Sequence, residues 1–182
     1  MRLTLTGPNG RSYVLGDPIE VYDEETLIGR VLSVTTSANG SEVRIKNFWT
    51  VDFGDFRAKA LPKLVLAEVV TFIADRSVAI SAIGIELNRA LEEYKGNEAR
   101  LATARSETLQ SIGARDIRIT PKPNGTDVAH FSVSGIWHYD SVSVAALAQA
   151  LGKERAAYRD RKAASSPASR KGRFGNLFRR GI

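Results

Sequence analysis

Three cations, Arg57, Lys59 and Lys63, crowd the stretch FRAKALPKL, which leads directly into an apolar run. A basic turn that opens a helix suits a phosphate group, because free backbone N–H groups and the positive end of the helix dipole meet at one spot. The preceding residues, VRIKNFWTV, read as a strand, so the local unit is strand, basic turn, helix. Other chemistry is sparse. His130 and His138 are the only histidines, cysteine is absent and no paired carboxylates flank them, so no metal site is expected. Ser106 and Ser111 lack a nucleophile-elbow context, and His138 in IWHYD reads as an ordinary strand-edge residue.

The elements that must position the turn follow from punctuation and periodicity. Asn39-Gly40 separates Ile28–Thr35 from Val43–Val51 and favours a tight type I′ hairpin. Asn124-Gly125 separates Ile117–Thr120 from Val128–Val133, and Asn9-Gly10 separates Leu3–Thr6 from Tyr13–Leu15, predicting two more hairpins. Pro62 fits the first turn of a helix, where its missing N–H costs nothing. In that helix Leu61, Val65, Val69, Phe72 and Leu66, Val70, Ile73 cover most of the surface, with Glu68, Thr71 and Asp75 as a polar stripe. The run SVAISAIGI then reads as a central strand parallel to the one before the helix, closing a βαβ crossover over Val43–Ile85. Helical stretches are expected at Glu86–Tyr94, at Glu98–Ile112 with Gly113 as C-cap, and at Val142–Arg161.

Charge is unevenly placed. The 182-residue chain carries +6 overall, yet from Lys153 onward ten basic residues oppose Glu154 and Asp160. The first 152 residues therefore hold 16 basic and 18 acidic residues, a near-neutral body at −2. Trp49, Phe48 and Trp137 accordingly read as core or sheet-face residues rather than a base-stacking platform. The last segment, SSPASRKGRFGNLFRRGI, interleaves aromatic residues with cations. It reads as a docking tail for an acidic protein surface or a nucleic acid, with Arg170, Lys171, Arg173, Phe174, Phe178, Arg179 and Arg180 as its contact residues. The N-terminus is too short and polar for a signal peptide and no run approaches a membrane span, which sets a cytoplasmic expectation.

The order of hairpin, strand, basic turn, buried helix, strand, helix and final hairpin resembles the GNAT superfamily of acyl-CoA-dependent N-acyltransferases. The resemblance rests on IKNFWTVDFGDFRAKALPKLVLAEVVTFI and on ARSETLQSIGARDI, and spans roughly Ile28 to Tyr139. It implies an α/β (α+β) fold with a mixed, mostly antiparallel sheet flanked by helices. The expected organisation is a domain over 1–140, a C-terminal helix over 141–162 and a basic tail over 163–182. It also implies acetyl-CoA as cofactor, with the pyrophosphate on the turn holding Arg57, Lys59, Ala60 and Lys63 and the pantetheine arm along the strand end from Trp49 to Val51. The turn departs from the family pattern, with Ala60 and Pro62 where it has glycine, or glycine or alanine. Leu109 stands where many members carry a tyrosine acid, and neither Glu42 nor Tyr94 occupies a defensible catalytic position.

Two functions stay open: an N-acyltransferase with an eroded phosphate turn, and a non-catalytic GNAT-fold component of a larger assembly held by its basic tail. The second is compatible with the GNAT-like, virion-associated proteins that phages encode, which would place the chain in a virion.

Overall fold

Burial alternates residue by residue along the central strand Ala82–Arg89 and the first half of Glu42–Thr50, which gives the sheet a dry face and a wetter one. The computed structural model describes residues 3–51, 61–76, 79–89, 91, 95–122 and 128–165. The strands are β1 (Thr4–Thr6), β2 (Ile19–Asp23), β3 (Thr26–Thr36), β4 (Glu42–Thr50), β5 (Ala82–Arg89), β6 (Arg115–Pro121) and β7 (Val128–His138). They lie in the order β1-β2-β3-β4-β5-β7-β6. Only β4 and β5 are parallel; every other neighbouring pair is antiparallel. Helices α1 (Leu61–Ala74), α2 (Glu98–Ser111) and α3 (Ser141–Ser165) complete the described elements. This is the mixed, mostly antiparallel α+β architecture expected, with α1 as the crossover between the parallel strands.

The dry face forms one hydrophobic cluster in which Val21, Val31, Val43, Ile45, Ile83, Ile85, Val133 and Trp137 meet the helices. Buried residues of α1 run nearly all round it, from Leu61 to Ala74. The reason is that α1 packs on the sheet and is also covered by α3. Contact with the sheet is close: a Cβ added at Gly29 of β3 would stand 2.6 Å from Val65 Cγ1, so only glycine lets α1 approach here. Glu68, expected on a polar stripe, is only 5% exposed because Arg155 of α3 grips it through Nε and Nη2 at 2.7 and 2.8 Å. Farther along α3, Tyr158 donates to Asp23 at 2.8 Å, and Lys162 bonds Asp23 and Glu24 at 2.9 Å each. Burial first, then Asp23, pushes the Tyr158 hydroxyl up, so it remains a neutral donor.

Two helix ends are capped, one by a side chain and one by backbone. Asp140 accepts from Ser143 N at 2.8 Å and caps α3. At the end of α2, Gly113 adopts φ +84, with Gly113 N on Gln110 O and Ala114 N on Leu109 O, the paired bonds of a Schellman motif.

Four sequence expectations are corrected. Glu86–Arg89 is strand rather than helix: Ile83, Ile85 and Leu87 are buried at period two, and pairing with β7 overrides the helix propensity of Glu and Leu. The central strand starts at Ala82, later than SVAISAIGI suggested. Asn9-Gly10 closes a short 3₁₀ turn over Pro8–Gly10, and β1 pairs with β2, a strand the sequence reading passed over, instead of with Tyr13–Leu15. The β3–β4 connection is a five-residue loop, Ser37 to Ser41, rather than a two-residue type I′ turn. Only Gly40 has positive φ there, and the Asn39 side chain accepts from Ser41 N at 3.1 Å. The hairpin around Asn124-Gly125 does form as β6–β7, although the turn itself lies outside the described residues. Helix α3 covers the predicted Val142–Arg161 and runs four residues farther, to Ser165.

Candidate functional site

The site is built by one irregularity in β4. At the β3–β4 loop, Ser37 N donates to Glu42 O at 2.9 Å, so position 42 is bonded to β3. At the other end, Val51 N donates to Ile28 O at 3.0 Å, so an odd position is bonded to β3. A regular antiparallel strand bonds alternate positions to one neighbour, so the alternation must invert once between them. Asn47, at φ 56, is the residue in the left-handed region. Side chains invert with it: Ile45 faces the core before it, and Phe48 packs on the core after it. The pairing of β3 with β4 keeps its register across the slip, from Thr36↔Val43 to Gly29↔Thr50.

The slip coincides with the parting of the parallel pair. Strands β4 and β5 pair through Glu42↔Ala82, Val43↔Ile83, Arg44↔Gly84 and Ile45↔Ile85, and there the ladder ends although both strands continue. After the slip the backbone groups of Phe48 and Thr50 point away from β3, toward the gap that β5 has left. Backbone N–H and C=O groups demand partners, so this stretch of β4 is an edge suited to an extended ligand that carries amides.

Side chains flank the gap. Lys46 and Glu86, the first residues beyond the ladder, form an ion pair at 2.8 Å. The bonded Lys46 ammonium, with Ser132 Oγ donating at 3.1 Å, holds the Glu86 carboxyl below the usual carboxylate range. A carboxylate so stabilised is a weak proton acceptor near neutral pH. Farther on, the Arg89 guanidinium lies 5.8 Å from the Trp49 ring centre, within cation–π reach. From α2, Arg105 donates to Leu87 O at 3.4 Å and to Arg89 O, anchoring the last turn of β5 backbone. An open depression of about 430 Å³ lies at the start of α2 against Phe131, lined by Gly96, Asn97, Glu98 and Ala99.

Of the residues expected to bind a cofactor, Trp49 sits on the parted end of β4, Val51 follows that strand directly, and Lys63 lies half-buried in the first turn of α1. Arg57, Lys59 and Ala60 lie outside the described residues, as do Tyr94 and the contact residues of the tail. Leu109 is fully buried and its Cδ1 would meet a Cβ placed on Gly135, so the position is filled with core packing. Glu42 is exposed at the start of β4, at the far end from the gap. Among the described residues no cluster of His, Asp or Glu could hold a metal ion, and no helix is long and apolar enough to cross a membrane. Sequence reasoning missed the contribution of Asn47, Glu86 and Arg105; the continued period-two burial at Leu87 was the available signal that this stretch borders the site.

No family model and no curated protein matches the sequence. Solved structures do. A Bacillus subtilis acetyltransferase in complex with CoA matches over 69% of this chain and 78% of its own, at 12% identity and a TM-score of 0.44. Mycobacterium smegmatis RimJ in complex with CoA-disulfide matches over 74% of this chain and 59% of its own, at 14% identity and TM-score 0.47. The diaminobutyrate acetyltransferase EctA from Paenibacillus lautus, bound to its substrate and coenzyme A, matches over 65% and 68%, at 12% identity and TM-score 0.40. Likenesses this distant assign no activity, and the functional reading rests on the residues of the gap.

Proposed function

We propose that the chain is a GNAT-like, acyl-CoA-dependent N-acyltransferase whose ligand lies in the gap between β4 and β5. The observation that carries this reading is the parallel ladder that ends at Ile45↔Ile85 while the backbone of Phe48 and Thr50 still faces the space beyond. The pantetheine arm of acetyl-CoA bears amides at a spacing suited to an exposed strand edge, and the residues present fit it. Its phosphates belong at the basic turn ahead of α1, where Arg57 and Lys59 precede the helix and Lys63 lies in its first turn. That end is impoverished: Pro62 removes one amide donor and Ala60 adds a methyl group. Lys59 and Lys63 compensate with point charges in place of fixed dipoles. Bound acetyl-CoA would supply a thioester acyl group for an amine.

A second reading is favoured by Leu109. With a fully buried leucine where the resemblance places a tyrosine acid, the fold serves as a non-catalytic scaffold. In that reading residues 170–180 fasten it into a larger assembly such as a phage virion.

The two readings part on one titration. Acetyl-CoA at a hundredfold its dissociation constant stabilises the native state by about 2.7 kcal/mol. For a domain of this size that raises the melting temperature by about 5–10 °C. An unchanged melt at millimolar acetyl-CoA sinks the transferase reading and leaves the scaffold.

A further inference from the structure

The near-neutral body conceals a segregation of charge. The three described α-helices pack on one face of the sheet: Gly29 faces Val65 of α1, Gly135 faces Leu109 of α2, and Asp23 receives Tyr158 of α3. Register then defines what shares the opposite face, where among the described residues no α-helix packs and the 3₁₀ turn touches only the β2 end through Asn9 and Glu20. Across β4, β5, β7 and β6 one row there reads Lys46, Glu86, Ser134, Arg118. Its neighbour toward the β3–β4 loop reads Arg44, Gly84, Ile136, Arg115.

These rows form a trough. Its floor is Gly84, Ser134 and Ile136, and the first two lack bulk. Arg44 and Lys46 stand on one side and Arg118 on the other, three strand spacings or about 14 Å apart. The stem of Arg44 lies against Gly84, where an added Cβ would stand 3.2 Å from its Cγ. Arg44 and Arg118 are exposed, and neither has an ion-pair partner among the described residues. Glu86, beside the floor, is answered by Lys46 at 2.8 Å and Lys122 at 3.9 Å, which leaves Arg44 and Arg118 over, while Asp116 pairs with His138 at 3.9 Å toward the end that holds Glu42. Trp49, half-buried, lies beyond Lys46 on the same face, because its neighbour Thr50 and its partner strand's Gly29 face α1. Arg115 is occupied by Asp140, and Glu42 marks the opposite, acidic end of the trough.

We propose that this helix-free face binds a single strand of nucleic acid laid along β5 and β7. With Glu86 held by Lys46 and Lys122, the Arg44 and Arg118 guanidinium groups complement a phosphate backbone. A flat sheet with an aromatic residue and an exposed Ile136 at 37% suits unstacked bases. An acidic peptide would instead add to a sheet edge, where main-chain hydrogen bonds are on offer. The chain's own C-terminus is excluded by sign: from Arg170 to Arg180 it holds five cations and no acid. The face shares Lys46, Glu86 and Trp49 with the gap, but Arg44 and Arg118 lie outside it, so variants at those two positions leave the acyl-CoA reading untouched.

The test is fluorescence anisotropy of a labelled oligothymidylate of about 20 nucleotides with the full chain, titrated across salt concentrations. Arg44→Ala/Arg118→Ala, both exposed positions, should weaken binding about tenfold at low salt. It should also lower the slope of log affinity against log salt by about 1.4, two lost phosphate contacts at about 0.7 each. Arg44→Lys/Arg118→Lys, which keeps the charge, should bind close to the original chain. Unchanged affinity and slope in the alanine pair would place all binding on the tail and overturn the proposal. So would a polyglutamate chain that displaces the oligonucleotide at equal charge concentration, since the face would then read charge alone.

Discussion

Arg155→Ala tests how α3 is held to the body. Glu68 is 5% exposed, and both of its carboxylate oxygens accept from Arg155, at 2.7 and 2.8 Å. Removing one partner of a buried pair leaves an uncompensated charge and costs about 3–5 kcal/mol. Here the Arg155 side chain is 40% exposed, so water reaches one side of the pair and screens it. A loss of about 2–3 kcal/mol is expected, which for a domain of this size lowers the melting temperature by roughly 5–10 °C. Glu68→Ala/Arg155→Ala should recover part of that loss, because no charge is then left buried. Thermal melts of the three variants at low and moderate salt give the answer. A melt of Arg155→Ala within a degree of the original chain would refute the reasoning, as would a double variant less stable than the single one.

Other consequences follow from single residues. Asn47→Val should destabilise by about 1–2 kcal/mol, since a β-branched residue resists the left-handed region, whereas Asn47→Gly should be nearly neutral; urea midpoints measure both. Gly29→Ala places a methyl group 2.6 Å from Val65 Cγ1 and should cost about 1–3 kcal/mol by overpacking, read from the same midpoints. The Lys46 ion pair depresses the folded pKa of Glu86, so its stabilisation is fully present above the ordinary carboxyl pKa of about 4.3 and is lost as pH falls through the lower folded value. Glu86→Gln should therefore lose less stability than the original chain between neutral pH and about pH 3, by denaturant unfolding at each pH.

Much of the frame was legible in the sequence because its periods are strong. The apolar cover of α1, Pro62 at its start and the β-branched flanks of Asn39-Gly40 specify a βαβ crossover without tertiary help. Glu86–Arg89 misled because Glu and Leu favour helices, and only pairing with Val133 and Val128 on a distant strand decides for β5. The Glu68 partner lies 87 residues away, so no local pattern could reveal that the polar stripe is a buried clamp. Asn47 gave no local warning either: it sits in an unbroken β-rich run, and its left-handed conformation follows from the need to re-aim β4. The cationic face was hidden by averaging, since Arg44, Lys46 and Arg118 come together only when β4 and β6 are set on either side of β5 and β7.

In the proposed complex, β4, re-aimed at Asn47, presents its backbone to a ligand in the gap left by β5. Amide hydrogen exchange with and without acetyl-CoA tests this most directly. On saturation, exchange at Phe48 and Thr50 should slow, while Ile45 and the rest of the ladder change little. Saturable binding with protection elsewhere and none at Phe48 or Thr50 would contradict it.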